Sequence, residues 1–121
     1  MHVLLSAFQS DARAALRLLL SNLEMKVVGE SVDWATTQKL AQAIQPALIL
    51  IDSELIPQEA GNMLKPLRQI CPTVSIIVLV NQLNIQHHAA LTAEADLLLD
   101  KSEMPDQVAT RILAAVKLRI H

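Results

Sequence analysis

Pro46-Ala47-Leu48-Ile49-Leu50-Ile51-Asp52 carries five apolar residues in succession with no polar partner to alternate against. Such a run reads as a strand buried on both faces. It ends on a single carboxylate and gives way to a polar loop, Ser53-Glu54-Leu55-Ile56-Pro57-Gln58. In an open parallel sheet, ligands and chemistry gather just past the carboxyl ends of the strands. Asp52 is therefore either a working group or the cap of a turn, and the strand alone leaves both readings open.

Working outward in both directions, the pattern repeats. His2-Val3-Leu4-Leu5-Ser6-Ala7, Met25-Lys26-Val27-Val28-Gly29-Glu30, Val74-Ser75-Ile76-Ile77-Val78-Leu79-Val80 and Leu97-Leu98-Leu99 read as four further strands. Between them lie helical spacings. Ser10-Asp11 is expected to cap a first helix with Ala12, Ala15, Leu16, Leu19, Leu20 and Leu23 on its inner face. Asp33 is expected to cap a second, with Thr37, Leu40, Ala41 and Ile44 inward. Ala60, Met63, Leu64 and Leu67 mark a third, where Pro66 predicts a kink or an irregular turn. A short fourth helix is expected from about Asn84. Pro105 suits the first position of a fifth, whose inner stripe is Val108, Ile112, Ala115 and Val116. A second apolar row on that helix, Ala109, Leu113, Val116 and Ile120, marks either core packing or an outward docking face. Strict alternation of strand and helix predicts a parallel five-stranded sheet covered on both faces, an α/β three-layer sandwich.

The 121 residues make one domain, 1–121, long enough to bury a core. That core is aliphatic: the chain has one Trp, one Phe and no Tyr. A net charge of −2 gives no electrostatic case for direct nucleic-acid binding or for an anionic membrane. A lone cysteine, Cys71, forms no internal disulfide and fits a reducing compartment. No apolar run has membrane-span length and the start lacks the basic residues of a signal peptide, so a soluble cytoplasmic protein is expected.

In the flavodoxin-like strand order 2-1-3-4-5, the strand ends bring Ala7-Phe8, Asp52, Val80-Asn81 and Lys101 to one edge. Here the chain resembles, over its whole length, the receiver domain of bacterial two-component response regulators. The residues that carry the resemblance are Leu48-Ile49-Leu50-Ile51-Asp52 with Pro57 and Gly61 beyond, Ile76-Ile77-Val78-Leu79, and Ala95-Asp96-Leu97-Leu98-Leu99-Asp100-Lys101 with Pro105. The resemblance implies that Asp52 is the phosphoacceptor and Lys101 the residue contacting the phosphoryl group, in a signalling domain that is not an enzyme. It also implies a protein partner: a histidine kinase, an output domain, or a second copy meeting the face of the fourth helix, fifth strand and fifth helix.

A carboxylate that attacks a phosphoryl donor must have the repulsion between anions neutralised, by Mg²⁺ and a cation. Magnesium takes hard oxygen ligands, one or two carboxylates plus waters. The family's acidic pair, however, falls on Ala7 and Phe8, its switch hydroxyl on Val80 and its switch aromatic on Leu98. Asp52 and Lys101 remain, and their charges cancel. The expectation is a degenerate receiver with weak or no Mg²⁺-dependent phosphorylation, acting as a protein-interaction module. The alternative is a working phosphoacceptor in which Glu54 or Asp11 supplies the missing oxygen ligands; Glu54 otherwise reads as a loop charge and Asp11 as a helix cap.

A small flavodoxin-like enzyme or ligand binder is disfavoured, since the only glycines, Gly29 and Gly61, make no glycine-rich phosphate loop. Adjacent His87 and His88 point apart on a helix and read as surface residues rather than as a metal pair. Trp34 is expected to cover the start of the second helix. Cys71 reads as an inert thiol at a helix end, and Met25, Met63 and Met104 as core gap-fillers.

Overall fold

Each β-strand of the sheet alternates its side chains between two apolar layers, and the split is clean. The computed structural model describes residues 1–57, 64–80 and 94–120, with side chains as far as Val116 in the last segment. In it, β1 (His2–Ser6), β2 (Lys26–Ser31), β3 (Leu48–Asp52), β4 (Ser75–Val80) and β5 (Leu97–Asp100) form one parallel sheet in the order β2-β1-β3-β4-β5. Val3, Leu5, Leu48, Leu50, Ile77, Leu79 and Leu99 face α1 (Ser10–Asn22) and the C-terminal helix, α4 (Pro105–Ile120). Leu4, Ile49, Ile51, Ile76, Val78 and Val80 face α2 (Trp34–Ile44) and α3 (Lys65–Ile70). All residues of β3 and β4 are buried, as expected of central strands covered on both sides. The expected order 2-1-3-4-5 and the three-layer α/β architecture are therefore observed.

The local signals act as read in most places. Asp33 caps α2, accepting from Thr36 N at 2.7 Å, and Thr37 and Ala41 are buried on that helix's inner face. Trp34 opens α2 and packs on the core beneath it. Gly29 lets α2 approach the sheet, because a Cβ there would stand 2.8 Å from Ile44 Cδ1 and 3.3 Å from Leu4 Cδ1. Cys71 ends α3 as a buried thiol, 3.3 Å from the Ala41 carbonyl, and burial pushes its pKa up.

Four expectations need correction. Gln9, not Ser10, is the N-cap of α1, and it makes no side-chain capping bond. Ala15, expected inward on α1, is exposed, whereas Leu16, Leu19, Leu20 and Leu23 reach the core. Pro66 occupies the second position of α3, where an absent N–H costs nothing, so of the kink or irregular turn expected there no kink is seen: the described helix begins only at Lys65, directly after a turn residue, Leu64. Met104 is two-thirds exposed rather than a core filler; Met25 is buried. On the C-terminal helix, Val116 is buried and Leu113 packs on the same layer, so this part of the second row belongs to the core. Ala60, Gly61, Met63, Asn81, His87, His88, the expected helix from about Asn84 and the side chain of Ile120 lie outside the described residues.

Candidate functional site at the carboxyl edge of the sheet

Register places the candidate residues. Ser6 pairs with Ile51, Asp52 with Leu79, and Val80 with Asp100, so β1, β3, β4 and β5 end beside one another. Asp52 closes β3 with its side chain 13% exposed. Both of its oxygens are engaged. Oδ1 accepts from Glu54 N at 2.9 Å, capping a short 3-10 turn over Ser53–Leu55, and Oδ2 lies 2.8 Å from Lys101 Nζ. The turn-cap role left open by the strand is thus real, and it uses only half of the carboxylate.

Lys101 reaches Asp52 because the loop after β5 is fixed from several directions. Its backbone N–H donates to the Val80 carbonyl at 3.0 Å. Asp100 Oδ1 accepts from Ser102 N at 2.8 Å and Ser102 Oγ at 2.7 Å, forming the local side-chain turn that Asp favours. Glu103 Oε1 accepts from Asp100 N at 3.0 Å and is bonded by Arg111, which also donates to the Leu98 carbonyl at 2.9 Å. The bond from Arg111, and secondarily that from Asp100 N, holds the Glu103 carboxyl below its usual range. The ammonium also lies 3.6 Å from Glu54 Oε1, so one cation bridges two carboxylates.

Ala7 and Phe8 lie where the resemblance placed them, lining the same groove as Asp52, Glu54 and Lys101. Neither side chain offers an oxygen: Ala7 is buried and Phe8 is 71% exposed. Behind this loop sits an arginine to which sequence reasoning gave no role. Arg13 Nη1 donates to the carbonyls of Ala7 at 2.8 Å and Phe8 at 3.0 Å, and its Nε bonds Glu30 Oε1 at 3.2 Å. Arg17 binds the other Glu30 oxygen at 2.6 Å. The i, i+4 spacing of Arg13 and Arg17 was visible in the sequence, but a partner on β2 was not. A positive guanidinium therefore backs the segment in which the resemblance leads one to expect two acids.

The groove continues from this edge between α1 and α4, with a volume of about 730 Å³ and walls that include Ala12, Leu16, Leu19 and Val108. Asp11 does not line it; it is exposed in the first turn of α1, where its charge complements the helix dipole. Val80 is buried and Leu98 packs against the α2–α3 layer, so both side chains are taken up by packing.

The donor set does not fit a divalent cation. Asp52 and Glu54 carry −2 and Lys101 +1, leaving −1 among these three. The two further carboxylates that line the groove, Asp100 and Glu103, are engaged by Ser102 and Arg111. An ammonium about 4 Å from an added ion repels each unit of its charge by ~4 kcal/mol at an effective dielectric of ~20. Among the described residues, no group of three or more His, Cys, Asp or Glu side chains is placed to hold a metal. No described helix is long and apolar enough to cross a membrane.

No protein-family model matches the chain, and no curated protein matches it. Solved structures do. The isolated receiver domain of RcsB from Salmonella enterica serovar Typhimurium, in the presence of a beryllofluoride phosphomimetic, matches with TM-score 0.82 and 21% identity. The match covers 97% of this chain and 88% of that one. The signal receiver domain of a modulated diguanylate cyclase from Desulfovibrio desulfuricans matches with TM-score 0.77 and 20% identity, over 98% and 94% of the two chains. A response regulator receiver domain protein from Clostridium thermocellum gives TM-score 0.81 and 14% identity, over 98% and 95%.

Proposed function

We propose, from a fold that is that of response regulator receiver domains with the flavodoxin-like strand order, that the chain is a receiver-like domain of two-component or phosphorelay signalling that works as a protein-interaction module, not as an enzyme, and takes up phosphate weakly or not at all in the presence of Mg²⁺. The observation that carries this reading is the state of Asp52. One oxygen caps a turn, the other is held by Lys101, and the neighbouring wall is Ala7 and Phe8. Asp52 would be the phosphoacceptor and Lys101 the phosphoryl contact only if that pair opened and a metal ion were held.

The partner is a protein of the same signalling system: a histidine kinase, an output domain, or a second copy. A cytoplasmic setting goes with this reading. Asp52→Asn tests it. Partner capture and downstream output should survive the substitution, and their loss would return the site to phosphate control.

The second reading, a phosphoacceptor that works at Asp52, has one observation in its favour. The Glu54 side chain is 64% exposed, yet its Oε1 comes within 3.6 Å of Lys101 Nζ, so a second carboxylate reaches the site. Under that reading Glu54 and Asp52 share the metal, and Asp52→Asn abolishes both phosphate uptake and output.

A further inference from the structure

We draw no further inference here: the strongest candidate, the apolar groove between α1 and α4 with the exposed Phe8 and Leu18 on its walls, carries none, because its acidic mouth belongs to the site already described and nothing in the structure shows what covers the rest.

Discussion

Asp52 Oδ2 lies 2.8 Å from Lys101 Nζ while its Oδ1 caps the turn at Glu54 N, 2.9 Å away. A single side chain thereby joins the end of β3, the loop that follows it and the loop after β5. The carboxylate is largely withdrawn from solvent, whereas the ammonium remains partly hydrated. In such a pair the carboxylate is the costlier group to leave unmatched.

Asp52→Ala should therefore cost about 1–2 kcal/mol of folding stability through the lost cap and the lost pair, with Lys101 returning to water. Asp52→Asn should cost less, because the amide oxygen can still accept from Glu54 N. Urea unfolding of the two variants measures the order. A larger loss for Asn than for Ala would contradict it.

Acid should weaken the fold through two other carboxyls. Asp33 is held below its usual range chiefly by the Thr36 backbone N–H, and Glu103 chiefly by Arg111. In both, the folded state binds protons less readily than the unfolded one. Their contribution is therefore complete above the unfolded carboxyl range of about pH 4 and disappears as pH falls through the folded value. Melting temperatures at neutral and acid pH should converge between wild type and Asp33→Ala on acidification. A constant gap between them would show that the cap does not depend on charge.

Phe8→Asp should restore part of what the edge lacks. Phe8 is 71% exposed, so its replacement costs little packing, and the new carboxylate would stand in the groove shared with Asp52 and Lys101. Calorimetric titration should show Mg²⁺ binding in the millimolar range for the variant and none for the wild type. Equal behaviour of the two would mean that the charge at this position does not govern metal binding.

The fold was readable because its decisive signals are local. Leu48 to Ile51 and Ile76 to Val80 have no polar alternation to permit a half-exposed strand, and Asp33 caps the helix it precedes. Pro66 was harder, since the same residue disrupts the middle of a helix and suits its first turn, and only the boundary at Lys65 decides between the two. Ser10 looked like a cap by residue type, yet it is already the first residue of α1, and the cap position one residue earlier is Gln9. At the site, Asp52, Lys101, Ala7 and Phe8 were placed correctly at one edge, because strand order alone converges them. Arg13 was missed: its partners are two backbone carbonyls and a carboxylate on a neighbouring strand, contacts that exist only after the sheet has formed. Met104 was misread because residue type says nothing of which way a loop turns, and it is exposed.

The most direct measurement is incubation of the purified chain with a small acyl-phosphate or phosphoramidate donor and Mg²⁺, followed by intact-mass analysis and mapping of any modified residue. An edge whose carboxylate is held by its own lysine should stay unmodified, or acquire only a trace slowly. Rapid, stoichiometric acyl phosphate on Asp52 would contradict the account.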